Sequence, residues 1–188
     1  MLYEIFRHYM KNNTRLTTKR PKPQTEVDQY VLNFLGDSAI NVPEDLVVLK
    51  DKILDSLEAR PYNTETKEHA DSIQWARTAS EILQDKYIYQ GKACSDIAIV
   101  FLALCRASGM DGRLVKLKSI KDDDTHSIVE VNLNNIWYRI DPSSKNSIPF
   151  EGELTDKSIW NKKFKVWKKG KDVWDLGLNN IESEAKIC

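Results

Sequence analysis

Gly91-Lys92-Ala93-Cys94-Ser95-Asp96-Ile97-Ala98-Ile99-Val100-Phe101-Leu102-Ala103-Leu104-Cys105-Arg106-Ala107-Ser108-Gly109 is the stretch whose reading decides the fold. Its centre, Ile97 to Cys105, is an unbroken apolar run, and periodicity alone does not separate a buried strand from a buried helix there. The flanks favour helix. Ser95 and Asp96 lie at the start, alanine recurs inside, and Arg106 with Gly109 closes the run. A helix apolar on every face is buried on every face, so this one belongs at the centre of the molecule.

Downstream the pattern changes period. Arg113 to Ile120 alternates as a strand, Asp122 to Asp124 is a polar turn, Thr125 to Leu133 alternates, and Asn134-Asn135 signals a hairpin before Ile136 to Asp141. The centre therefore reads as a helix followed by three antiparallel strands. Upstream, the first ninety residues read as helical. Leu2, Ile5, Phe6 and Tyr9 recur at helical spacing, Arg15 to Gln24 is a basic, proline-containing loop, and Val27, Tyr30, Val31 and Phe34 form a second stripe stopped by Gly36. Asn41-Val42-Pro43-Glu44 opens a helix expected to run to about Arg60, with Asn41 as its cap. A fourth helix is expected over Lys67 to Lys86. In the tail, Trp160, Phe164 and Trp167 suit a helix face, while Phe164 and Val166 between lysines suit a strand equally well.

The fold class that follows is α+β: a central buried helix packed on a small antiparallel sheet, with a helical N-terminal half. The expected organisation is one domain over 1–188, comprising a helical part (1–86), a core (87–145) and a C-terminal extension (146–188). Lys plus Arg and Asp plus Glu number 28 each, so no bulk charge draws the chain to nucleic acid or an anionic membrane. No apolar run reaches the ~20 residues a membrane helix needs. Met1 to Met10 carries Glu4, Arg7 and His8 and is no secretory signal, and three cysteines make no disulfide framework. The expected compartment is the cytoplasm.

Cys94 falls in the first turn of the apolar helix, where free N–H groups and the helix dipole favour an anion and lower a thiol pKa. Those N–H groups could also form part of an oxyanion hole. If Asn134-Asn135 is a two-residue turn, Leu133 pairs with Ile136 and His126 falls opposite Ser143, so Asp141 lies diagonally from His126 on the same face. A one-residue change in the turn would separate the two. Val129, Val131, Leu133, Ile136, Tyr138 and Ile140 share the opposite, apolar face. That face is expected against the N- or C-terminal helices, leaving the polar face to meet the end of the Cys94 helix. In this arrangement His126 would take the thiol proton and Asp141 would orient the imidazole. Second oxyanion donors are sought just upstream, among Tyr87, Tyr89 and Gln90, and Lys92 could assist the thiolate.

Gly91-x-x-Cys94 at the helix start, Arg106-Ala-x-Gly109 at its exit, Arg113-x-Val115, His126 followed by Val-Glu130-Val, and Trp137-x-x-x-Asp141-Pro142 together resemble the core of the transglutaminase-like superfamily. The resemblance implies a papain-like fold and thiol acyl-transfer chemistry, with Cys94, His126 and Asp141 in the family's catalytic positions. It covers neither the N-terminal half nor the tail. Calcium-dependent animal transglutaminases have added domains for which this chain is too short. Peptide N-glycanases carry a Cys-pair zinc site, and no C-x-x-C occurs here.

The reading reached is a thiol enzyme hydrolysing a peptide or side-chain amide of a protein or peptide substrate, with no cofactor and no metal. Transamidation, or a non-catalytic scaffold that kept the fold, are the alternatives. Cys105 is read as core and Asp122 to Asp124 as a solvated loop. The lysines of the tail are read as solvated around inward tryptophans rather than as a nucleic-acid surface, with Trp160, Trp167 and Trp174 as possible groove residues.

Overall fold

The computed structural model describes residues 22–187. The expected helix through Leu2 and Tyr9, most of the Arg15–Gln24 loop, His8 and Cys188 lie outside the described residues.

Helix α1 (Gln29–Leu35) starts where Asp28 accepts from the N–H groups of Tyr30 and Val31, and ends at Gly36 in the left-handed region. Helix α2 (Pro43–Ser56) has Pro43 in its first turn. Its entry is closed by Asp45, whose carboxylate accepts from the N–H groups of Asn41 and Val42, so the side chain expected of Asn41 is not the cap. The helix ends before Arg60. Glu58–Arg60 is instead a short strand, β1, paired in parallel with β2 (Tyr87–Tyr89).

The single helix expected over Lys67 to Lys86 is two, α3 (Lys67–Ile73) and α4 (Ala79–Asp85). Trp75 breaks it with a φ of 60°. The indole is buried and donates to Ser95 Oγ at 3.0 Å, while Gln24 Nε2 holds the carbonyls of Trp75 and Arg77 at 3.2 and 2.8 Å. A capping box between Thr78 and Glu81 then restarts the chain as α4. Tertiary contacts to a large aromatic side chain outweigh local helical periodicity here.

Helix α5 (Cys94–Ala107) is the apolar run, with Ser95 to Cys105 all buried. Its N-cap is Ala93, without a side-chain cap; Asp96 turns away to an ion pair with Arg77 at 2.5 Å. At its exit Arg106 bonds the carbonyls of Gly112 and Lys171 at 3.1 and 2.7 Å, tying the helix to the sheet and the tail.

Strands β3 (Asp111–Ser119), β4 (Thr125–Leu133) and β5 (Ile136–Ile140) follow as expected. Asn134 and Asn135 both have positive φ, 54° and 66°, the conformation a tight two-residue hairpin demands. The register is the one the turn dictates, Leu133 opposite Ile136 and Val129 opposite Ile140. The sheet is larger than three strands. The tail is strand rather than helix: β6 (Phe150–Glu151), β7 (Ile159–Trp160) and β8 (Phe164–Gly170) complete an antiparallel order β6-β5-β4-β3-β8-β7. A 3₁₀ helix at Ile181–Lys186 closes the described chain.

The sheet's two faces differ from expectation. Val129, Val131 and Ile140 pack on α5 itself, together with Leu114 and residues of α1, α2 and α4, in one core that extends from Val31 to Ile187. A wholly apolar helix needs apolar neighbours on the sheet side as well, so it takes the apolar face rather than leaving it to the terminal helices. The other face curls around a second small core of Val115, Leu117, Ile128 and Leu154, walled by Trp160, Phe164 and Val166.

Candidate active site

Cys94 is the first residue of α5, where helix geometry leaves N–H groups without intrahelical carbonyls. Gly91, three residues earlier, has a φ of 76°, which suits glycine, and an added Cβ would meet nothing within 4 Å.

His126 stands near the start of β4, its ring half-buried and stacked on Phe164 at 5.6 Å between centroids. Its Nε2 lies 2.7 Å from Asp141 Oδ2. The other oxygen of Asp141 accepts from the N–H and Oγ of Ser143 at 3.0 and 2.7 Å. Both carboxylate oxygens are thus occupied, one holding the imidazole and one holding the carboxylate. With Nε2 turned to Asp141, Nδ1 is the ring nitrogen left for the sulfur.

The electrostatics follow from these neighbours. Burial pushes the Cys94 thiol up, but the His126 imidazole against it, the Lys116 ammonium and the N–H of Ser127 bring it down to about 7. Burial pushes the His126 imidazolium down, but the hydrogen bond to Asp141 and the adjoining Cys94 raise it to about 10. Burial likewise pushes Asp141 up, and the bonds from His126 and Ser143 hold it below the usual carboxylate range. The two shifts are opposite in direction, and both favour a thiolate beside an imidazolium.

The structure therefore brings Cys94, His126 and Asp141 together. It does not gather the upstream donors in the same way. The Tyr87 hydroxyl bonds His69 Nε2 at 2.9 Å, and its ring lies under the Arg60 and Arg77 guanidiniums at 3.8 and 5.0 Å. Tyr89 is buried edge-on against Tyr87. Gln90 is exposed, with its N–H on the Arg60 carbonyl at 2.9 Å. Lys92 lies over the Tyr62 ring at 5.4 Å.

Sequence reasoning missed three residues around the thiol: Lys116, Ser127 and Ser95. Ser127 and Ser95 join hydroxyls at 2.9 Å, and Lys116 Nζ is 3.3 Å from Ser127 Oγ. Lys116 carried one usable signal. It faces Ser127 across the β3–β4 ladder, on the face that packs against α5, where an apolar side chain is expected. Cys105 is buried and free, its thiol pushed far up by burial. Of the Asp122 to Asp124 turn, Asp124 and Asp122 approach Lys163 Nζ at 2.6 and 3.8 Å.

Next to the carboxylate end of this arrangement is a cavity of about 550 Å³, lined by Asp141, Arg139, Ile148, Phe150, Ile159 and Trp160 among others. Ile148, Phe150 and Ile159 are exposed at it. The Trp160 indole N–H is buried without a hydrogen-bond partner among the described residues. The other candidate groove tryptophans are structural in their contacts: Trp174 Nε1 donates to the Trp75 carbonyl at 2.7 Å, and Trp167 packs on the main core.

A buried helix presenting a cysteine at its first turn to a histidine and an aspartate on an antiparallel sheet defines a papain-like α+β protein. The transglutaminase-like superfamily model matches residues 44–142, more than half of the sequence, and the chain belongs to that superfamily. Among solved structures, a candidate cysteine protease from Cytophaga hutchinsonii superposes with a TM-score of 0.52 at 17% identity, over 81% of this chain and 47% of that one, a likeness of fold. A structure described as a TGase gives 0.45 at 12% identity, over 83% and 41% of the two chains. A candidate protease from Parabacteroides distasonis gives 0.36 at 16%, over 70% and 31%. The chain thus spans about half or less of the length of the structures it matches. No curated protein matches it.

Proposed function

We propose that this chain is a cysteine-dependent acyl-transfer enzyme in which Cys94 is the nucleophile, His126 the general acid and base, and Asp141 the residue that orients the imidazole. The observation that carries the reading is the conjunction at the head of α5: a thiol lowered to about 7, with an imidazole against it that is itself held by Asp141 at 2.7 Å.

The thiolate adds to an amide or ester carbonyl, forming a C–S bond while the π pair moves onto oxygen. First-turn N–H groups of α5 face the developing negative charge. The tetrahedral adduct collapses, the C–N or C–O bond breaks, and His126 donates its proton to the leaving group. The neutral imidazole then takes a proton from water, which adds to the thioester, and the C–S bond breaks to return the thiolate. The cavity beside Asp141, with its apolar rim, supports an apolar side chain as the recognised portion of a protein or peptide substrate. Hydrolysis of a peptide or side-chain amide is the favoured outcome, and an amine acceptor would intercept the same thioester.

The proposal takes the helical part, the core and the tail as one domain, because a single core draws on all three. It takes the compartment as reducing cytoplasm, in keeping with free Cys94 and Cys105; among the described residues no helix is long and apolar enough to cross a membrane.

Acylation by p-nitrophenyl acetate is the test. A nitrophenolate burst stoichiometric with protein, an acetyl group on Cys94 by mass spectrometry, and loss of both in His126→Ala are expected. Adding a primary amine then separates hydrolysis from transamidation by the product formed. Acylation that is absent, or equal in His126→Ala, refutes the assignment.

A further inference from the structure

Lys116 is only 1% exposed, and among the described residues no carboxylate pairs with its ammonium. Burying an uncompensated ammonium costs several kcal/mol, so the fold must offer it something. Its immediate partners are weak ones: the Ser127 hydroxyl at 3.3 Å and the face of Trp75 at 5.0 Å. Those partners lead directly to the nucleophile. Ser127 Oγ is 2.9 Å from Ser95 Oγ, and the Trp75 indole donates to the same Ser95 oxygen at 3.0 Å. Ser95 follows Cys94 and Ser127 follows His126, so the ammonium is held by the residues next in the chain to both reacting residues, on the buried face of the β3–β4 ladder.

Burial pushes the Lys116 ammonium below the usual lysine range; among the charges around it the Cys94 thiolate opposes that most, Glu184 and Asp124 follow, and Lys92 adds to the lowering. On the sheet His126 is balanced by Asp141, and on α5 Asp96 is balanced by Arg77.

We propose that Lys116 is the fixed counter-cation of the Cys94 thiolate, holding the nucleophile ionised from within the core and stabilising the same thiolate when it departs from the thioester. The inference rests on Cys94 being the nucleophile. Acylation converts the thiolate to a neutral thioester and leaves the ammonium uncompensated; breaking the C–S bond returns the electron pair to sulfur and restores the pair. Lys116 need not touch substrate, so its signature is a pH profile.

The experiment follows thiolate ultraviolet absorbance against pH in wild type, Lys116→Met, Lys116→Arg and His126→Ala. Lys116→Met is expected to raise the Cys94 midpoint by about one pH unit, about tenfold less thiolate well below it, with Lys116→Arg restoring part of the shift. A Lys116→Met midpoint equal to wild type overturns the inference. If Lys116→Met does not fold, the Lys116 ammonium is titrated by NMR in wild type and Cys94→Ser. Coupling between the charges is reciprocal, so the Lys116 pKa should fall in Cys94→Ser, and an unchanged value overturns the inference. A wild-type thiol that titrates as an ordinary cysteine, indifferent to His126, removes the nucleophile reading itself. A low wild-type midpoint that Lys116→Met leaves in place removes only the counter-cation.

Discussion

Glu130 lies mid-strand in β4, wholly buried, four residues from His126. Its carboxylate accepts from Arg113 Nε at 2.7 Å, from Lys169 Nζ at 2.8 and 2.9 Å, and from the Leu154 N–H at 2.6 Å. One side chain thereby joins β3, β4, β8 and the segment that caps the second core. Glu130→Ala would remove three charge-assisted contacts, leaving the part-buried Lys169 without its carboxylate and Arg113 with Glu153 alone. Breaking a buried ion pair from one side costs about 3–5 kcal/mol. At roughly 2–4 °C per kcal/mol for a domain of this size, the melting temperature should fall by roughly 6–20 °C. Because the cost is mainly that of stranded charge, the triple variant Arg113→Met, Glu130→Leu, Lys169→Met should recover most of the loss. Calorimetry on the wild type, Glu130→Ala and the triple variant is the assay. A Glu130→Ala loss under about 1 kcal/mol, or a triple variant less stable than the single, would refute the view that the sheet is closed by this cluster.

Asp141→Asn should leave the fold intact, since an amide can still accept from Ser143, but it removes the charge that raises His126. Acylation of Cys94 is expected to slow by about 10²–10⁴-fold, and a loss under about threefold in burst kinetics would contradict the orienting role. His126 is stabilised in its charged form by folding, so its contribution is fully present below the ordinary histidine value and is lost as pH rises through about 10. The melting-temperature gap between wild type and His126→Ala should therefore be widest in mild acid and close in strong base, and a gap that widens with alkali would reverse the sign. Gly112→Ala would place a methyl 2.9 Å from Leu102 Cδ2 and 3.4 Å from the Glu130 carbonyl, in the seam between α5 and the sheet. Denaturant unfolding should show about 1–3 kcal/mol lost, and a neutral result would mean the seam is looser than these distances.

The parts of the site that rest on local rules were legible in the sequence. Asn134-Asn135 fixed the hairpin, the hairpin fixed the register, and the register put Asp141 on the His126 side of the strand. Flanking residues were enough to make Ile97 to Cys105 a helix. What was not legible depended on long-range contacts. Trp75 breaks a helical pattern because its indole is held by Ser95 across the fold, which no window of sequence contains. Glu58–Arg60 leaves helix α2 to pair with Tyr87–Tyr89, again a distant partner. The apolar face of the hairpin was assigned to the wrong neighbour, because alternation says which residues share a face and not which element covers it. Lys116 reads as one more strand lysine until the ladder places it on the α5 face, where it is buried.

The most direct test of the central claim is the pH dependence of Cys94 alkylation by iodoacetamide in wild type and His126→Ala, with Cys94→Ser as the blank. A wild-type midpoint near pH 7 is expected, against about 8.5 for a free thiol, with a rise toward the free value when His126 is removed. A wild-type midpoint at the free-thiol value that His126→Ala leaves unchanged would contradict the claim.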